Sequence, residues 1–218
     1  MPREAKAKKR ERALEVCRRM GELYPHAAPA LHFANPFECV IAVSLSAQTT
    51  DANVNKVTPE LFEKYGTPQA MAQADVKDVE RIIHSVGFFR TKARNCVECA
   101  RAIVSDFGGE VPQTMAELQK LPGVGRKTAN IVMNTSFGKC EGIAVDTHVF
   151  RIAHKLKLSN KKTPAQTEQD LLDLLPEELW PDVNDQWIRF GRQWCIARRP
   201  RCPECPLNDL CPSAEVGA

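Results

Sequence analysis

Leu121-Pro122-Gly123-Val124-Gly125-Arg126-Lys127-Thr128-Ala129-Asn130 is the stretch on which the reading of this chain turns. Two glycines flank one small apolar residue, and a lysine follows where a helix should begin. Glycine accepts the positive φ angles of a tight turn and lets the backbone come close to a ligand. The N–H groups of such a turn, opening onto a helix N-terminus, form a site for an anion such as phosphate. The turn also sets Lys127 in the first turn of the helix. There the helix dipole disfavours its positive charge and pushes it towards the neutral, nucleophilic amine. One segment is thus expected to hold a phosphate and to carry chemistry; the plainer alternative is an exposed lysine or a simple phosphate contact.

The pattern around this stretch is helical throughout, so the expected fold class is all-α. No alternating apolar–polar runs joined by Asn-Gly or Asp-Gly signal a hairpin of strands. Helix starts are marked instead. Pro36 opens residues 37–45. Asp51 is expected to cap the segment with Val54 and Val57, and Asp75 the one with Val79 and Ile82. Thr67-Pro68 and Thr163-Pro164 each read as an N-cap followed by proline at the first helical position. Thr114 with Glu117 fits a capping box. An amphipathic stretch over 91–106 ends at Gly108-Gly109, and the helix over 126–137 ends at Gly138.

The chain has 218 residues and a formal net charge of +3, too little for charge alone to name a partner. The charge is segregated, however. Arg151, Lys155, Lys157, Lys161 and Lys162 form one basic run and Arg189, Arg192, Arg198, Arg199 and Arg201 another, with an acidic block between them. One basic face would suit a polyanion; the alternative is two solvated helix faces. No stretch is long and apolar enough to span a membrane. Residues 1–20 lack the apolar core of a signal peptide and are expected to form an exposed basic helix, which points to a cytoplasmic or nucleoid location.

Four of the nine cysteines, Cys195, Cys202, Cys205 and Cys211, crowd into the end of the chain. Such clustering argues for metal rather than disulfides, and thiolates at these intervals suit either Zn²⁺ or an iron–sulfur cluster. The segment is expected to be a small separate unit held by its metal site, with a basic loop containing Arg198, Arg199 and Arg201 between the first two cysteines. Cys96 and Cys99, three apart on one helix, read as core. Asp146, in Val145-Asp146-Thr147-His148, reads first as an N-cap; an ionised carboxylate there could also stabilise positive charge or move protons.

Taken together, Leu121–Asn130, Val145-Asp146-Thr147-His148, the four cysteines and Ser46-Ala47-Gln48-Thr49-Thr50-Asp51 resemble one family. It is endonuclease III, the iron–sulfur branch of the helix-hairpin-helix DNA glycosylases. The likeness runs from about Ala13 to Cys211. It implies a six-helix domain over 30–138, with the hairpin at 121–127. It also implies a smaller helical cluster domain formed by 1–29 with 139–218, its cluster motif at 195–211. The resemblance implies a [4Fe-4S] cluster on the four cysteines, damaged double-stranded DNA as partner, bound between the domains, and a monomer.

The implied activity is that of a DNA N-glycosylase and DNA-(apurinic or apyrimidinic site) lyase. Lys127 attacks C1′ of a flipped nucleotide, Asp146 stabilises the cationic carbon, and the strand is cut 3′ to the site after a Schiff base. Oxidised pyrimidines are the expected bases. Gln48 matches the residue that enters the space left by the base, and Phe88 lies where the family places an aliphatic wedge; the Phe88-Phe89 pair departs from that pattern and could instead be core. Gly123, Val124, Gly125, Arg126, His148, Arg198, Arg199 and Arg201 complete the expected DNA contacts. The Lys127–Asp146 separation is one residue longer than the family pattern, an addition expected within Lys139-Cys140-Glu141-Gly142. Two rivals remain. An adenine-mismatch glycosylase of this fold generally lacks the lysine and carries a further C-terminal domain, whereas only residues 212–218 follow Cys211. A non-catalytic DNA-binding module would use zinc and do no chemistry.

Overall fold

A computed structural model describes residues 4–215. Residues 1–3, the start of the expected N-terminal helix, and residues 216–218 lie outside the described part. Among the described residues the regular elements are helices: α1 (Lys6–Leu23), α2 (Pro36–Leu45), α3 (Asp51–Tyr65), α4 (Pro68–Ala72), α5 (Val76–Ile82), α6 (Phe89–Asp106), α7 (Met115–Leu118), α8 (Arg126–Phe137), α9 (Thr147–Lys155), α10 (Pro164–Leu174) and α11 (Trp180–Gln193), with short 3₁₀ turns before α11 and beside the C-terminal cysteines. They divide into two compact units: Pro29–Glu141, and Met1–Ala28 with Gly142–Ala218.

Local chemistry sets the helix starts. The side chains of Asn35, Thr67, Asp75, Thr114 and Thr163 each accept a backbone N–H of the first turn. This satisfies a donor that has no partner inside the helix. At α3 the cap is Thr50, whose hydroxyl accepts from Asn53 N–H, and Asp51 is the first helical residue. The correction is one position: a hydroxyl at the extended residue serves the same N–H, while Asp51 favours the helix by its charge in the first turn.

The unit Pro29–Glu141 contains seven helical segments rather than six, of which α4 and α7 are about one turn long. Its centre is α2, whose Phe37, Cys39, Val40, Ile41, Ala42, Val43 and Leu45 are all buried. It packs on α8, while α6 packs on α4 and α5. The stripe of α6 includes Cys96 and Cys99, whose thiols burial pushes up to about 12; both are core residues.

The other unit is built on α11, packed against α9 and α1. Trp187, Val183 and Phe190 meet Val149, Ile152 and Ala153 of α9 and Ala13, Val16 and Met20 of α1 in one core. Two expectations fail here. The N-terminal helix is not simply exposed, because its period buries one face. Nor is the cysteine segment a separate unit. Leu207 is part of this core, and α1 clamps the segment: Arg12 donates to the carbonyls of Leu156 (2.7 Å) and Leu210 (3.2 Å), and Arg19 to the Pro206 carbonyl and the Asp209 carboxylate. A stretch with so few apolar residues cannot bury a core alone and takes its neighbours'.

Candidate active site

The turn between α7 and α8 uses its two glycines differently. Gly123 lies at φ +81°, which favours glycine, and a Cβ there would stand 3.0 Å from Asn95 Nδ2 and press on that side chain of α6. Gly125, the N-cap of α8, is extended (φ −90°, ψ 176°), so positive φ is not its reason. A Cβ at Gly125 would meet no protein atom within 4 Å. What its hydrogen leaves open is the outer side of the turn. Val124 between them is buried, and its N–H donates to the Leu121 carbonyl at 3.0 Å. Its side chain belongs to the core. The first intrahelical bond of α8 runs from Ala129 N–H to the Gly125 carbonyl (2.9 Å), and Lys127 sits half-buried in the turn before it.

Asp146 is the N-cap of α9. Its Oδ1 accepts the N–H groups of His148 and Val149, both at 2.8 Å, so the carboxylate is oriented without use of Oδ2. Lys127 and Asp146 belong to different units. His148 packs on α11, where a Cβ at Gly191 would stand 2.7 Å from its Nδ1, and that nitrogen lies 3.1 Å from the Arg151 guanidinium. Arg151 also donates to the Cys195 carbonyl at 2.9 and 3.1 Å. The expected basic face therefore loses Arg151, which turns inward to join α9 to the first cysteine, whereas Arg198, Arg199 and Arg201 are exposed.

Cys195, Cys202, Cys205 and Cys211 line one cavity of about 40 Å³ with a nearly wholly apolar wall that includes Trp194 and Leu207. Burial pushes the thiols of Cys195, Cys205 and Cys211 up, while the N–H groups of Leu207 and Ser213 pull Cys205 and Cys211 down. Among the described residues no three Cys, His, Asp or Glu side chains close on a site for a single metal ion; the thiols stand around a shared space instead. Four cysteines, an apolar wall and N–H donors to sulfur suit an iron–sulfur cluster, whose thiolates are commonly hydrogen-bonded.

Gln48 and Phe88 both lie in the unit of α2. Each has a left-handed backbone (φ 52° and 58°), a conformation that costs free energy for non-glycine residues and clusters at functional sites. Both are exposed, Phe88 at 68%, whereas Phe89 packs against the core. The structure thus separates the two rings: one is core and one is not. The sequence reading missed Lys92, which is 9% exposed. Its ammonium, pushed down by burial, donates into the turn holding Gln48. The signal was present: Lys92 occupies the apolar stripe of α6 with Cys96, Cys99 and Ile103.

Residues 41–177 match the HhH-GPD superfamily base excision DNA repair protein family, and residues 195–211 match the iron–sulfur binding domain of endonuclease III. Among relatives, the chain is 46% identical to endonuclease III of Synechocystis sp. over 96% of each chain. Among solved structures it is similar to a non-covalent endonuclease III–DNA complex (42% identity, TM-score 0.90, 94% of this chain and 96% of that one). It is equally similar to a trapped endonuclease III–DNA covalent intermediate (42% identity, TM-score 0.89, 98% of each).

Proposed function

Because the chain belongs to the endonuclease III family, within the HhH-GPD superfamily of base excision DNA repair proteins, and is a DNA glycosylase with AP lyase activity, we propose which of its residues perform the reaction. Lys127 is the nucleophile. Its amine attacks C1′ of the flipped nucleotide, the N-glycosidic bond breaks, and the departing base takes the proton the amine gives up. Ring opening leaves an imine between Lys127 and the sugar. Loss of a C2′ proton then expels the 3′ phosphate by β-elimination. Asp146 stabilises the positive charge that develops at C1′, its orientation fixed by the two N–H groups of α9. The bases removed are oxidised pyrimidines.

Backbone N–H groups at Gly125 and the first turn of α8 hold a phosphate, with Arg126 beside them. Arg198, Arg199 and Arg201 supply further phosphate contacts, and His148 a contact at the start of α9. Gln48 enters the space the base leaves, and Phe88 wedges the stack. The chain carries a [4Fe-4S] cluster, which Cys195, Cys202, Cys205 and Cys211 would hold; when bound it supplies the cross-link that fixes the 195–211 segment. No described helix is long and apolar enough to cross a membrane. The protein works as a monomer on chromosomal DNA in the cytoplasm: the large apolar side chains exposed on the described surface are only Leu23, Phe88 and Val104.

The observation that supports this reading most is the place of Lys127, in the first turn of α8, two residues after the open side of Gly125. Borohydride reduction on duplexes containing thymine glycol or an abasic site tests it. A covalent adduct is expected with both, and adduct with the abasic site alone would overturn the oxidised-pyrimidine specificity.

A further inference from the structure

Lys92 stands at the junction of two turns that are distant in sequence. Its Nζ donates to the Leu45 carbonyl (2.9 Å), the Ala47 carbonyl (2.5 Å) and Thr49 Oγ1 (3.1 Å). An ammonium has three protons to donate, and all three go into the turn that holds Gln48. Leu45 ends α2, so the cation also meets carbonyls that a helix C-terminus leaves unpaired. The backbone of Lys92 does a second job. Its N–H donates to the Phe88 carbonyl at 3.1 Å, closing the first turn of α6 on the left-handed Phe88. The two turns also meet directly. Gly87 N–H donates to Thr49 Oγ1 at 3.2 Å, and a Cβ at Gly87 would approach the Gln48 carbonyl to 3.3 Å. Asn53 Nδ2 donates to the Ser85 carbonyl at 2.7 Å.

We infer that Lys92 is a positioning residue for duplex recognition: it ties the Gln48 turn to the Phe88 turn, so that both side chains enter the helix stack as one rigid element. This rests on the proposed roles of Gln48 and Phe88 in DNA. The logic is energetic. Two strained backbones must keep their conformation while stacked bases push against them, and strain persists only where the surroundings over-determine it. A buried ammonium bonded to three oxygens of one turn and anchored beside the other supplies that determination. Its removal leaves buried acceptors unpaired in the same turn.

Lys92→Met, which keeps the stem and removes the ammonium, tests the inference beside Gln48→Ala/Phe88→Ala and the triple variant. Three quantities are measured: excision from a lesion duplex, cleavage of an abasic site in a single strand, and fluorescence of 2-aminopurine opposite the lesion, which reports unstacking. Lys92→Met is expected to slow duplex excision about 10²-fold, the scale of a 1 Å misplacement, and to shrink the 2-aminopurine change. Single-strand cleavage, which needs no wedge, should fall far less. Introduced into the Gln48→Ala/Phe88→Ala background, Lys92→Met should cost under about threefold more, because residues acting through one another are not additive. An equal loss in both backgrounds would show that Lys92 acts elsewhere and overturn the inference. If the double variant itself excises and unstacks like the wild type, the roles of Gln48 and Phe88 fail first. Should Lys92→Met not fold, Thr49→Val removes one acceptor shared by Lys92 and Gly87. It should give a smaller loss of duplex excision, again absent from the double-variant background; an unchanged duplex rate would sink the proposal.

Discussion

The two units solve the problem of holding a reactive group in different ways. Pro29–Glu141 closes its own apolar core around α2, and Lys127 rides on α8, which packs directly on that helix. The other unit has a comparable core around Trp187 but adds a cysteine segment with little apolar surface, held by arginines of α1 and, in the proposed reading, by the cluster. A site built on a complete core needs no cofactor to stay in place; a polar segment does. The difference separates chemistry from scaffold: the proposed nucleophile rides on a unit closed by its own core, the cysteines on a segment with little apolar surface of its own.

Lys127→Ala makes the strongest demand on this division. Covalent trapping should vanish and base release fall by on the order of 10³-fold or more, with the visible absorption of the cluster intact; a persistent adduct would move the nucleophile elsewhere. Asp146→Asn comes next. Asparagine also caps helices well, so thermal stability should stay within about 0.5 kcal/mol while base release drops by about 10²–10³-fold. Full activity would remove the catalytic role and leave only the cap.

Ile41→Ala opens a cavity in the core of α2 and should cost about 2–5 kcal/mol, read by chemical denaturation; a loss under about 0.5 kcal/mol, the size of a surface change, would contradict the primacy of that core. Replacement of Cys202 by Ser tests the other side. Trp180, Trp187 and Trp194 all lie in the unit of α11, so tryptophan fluorescence reports that unit alone. It should shift as the visible absorption is lost. An unshifted spectrum would mean the 195–211 segment holds without its metal.

Acid should have the smallest effect. Hydrogen bonds from Arg18 and Arg19 hold Glu15 at about 2, and Arg19 also holds Asp209 below its usual range. A depressed carboxylate stabilises the fold above its unfolded pKa, near 4, and loses that contribution as pH falls towards 2. The Trp signal should therefore drift between about pH 4.5 and 2; a drift confined to alkaline pH would exclude this clamp.

Much of this was legible beforehand because the signals are local. Caps at Thr67, Asp75, Thr163 and Asp146 are satisfied within three residues, and the turn at Gly123 is decided by its own φ. The cysteine spacing and Lys127 placed the chain in its family, and that membership sets aside the non-catalytic reading. The misses came where a residue's partner is distant. Arg151 reads as part of a basic run but serves the Cys195 carbonyl, 44 positions away. The N-terminal helix reads as basic and solvated, yet Arg12 and Arg19 reach carbonyls of the cysteine segment.

By itself the sequence determined the helical class, the helix starts, the hairpin and the chemistry available at Lys127, Asp146 and the cysteines, since each depends on bonds closed within a few residues. Only the tertiary structure decided which of Phe88 and Phe89 faces outward, that Gly125 leaves the outer side of its turn open, and that Lys92 spends its charge on the turn around Gln48. Those outcomes depend on oxygens and rings brought near by packing, with partners as far as 47 residues away, and no local pattern specifies them.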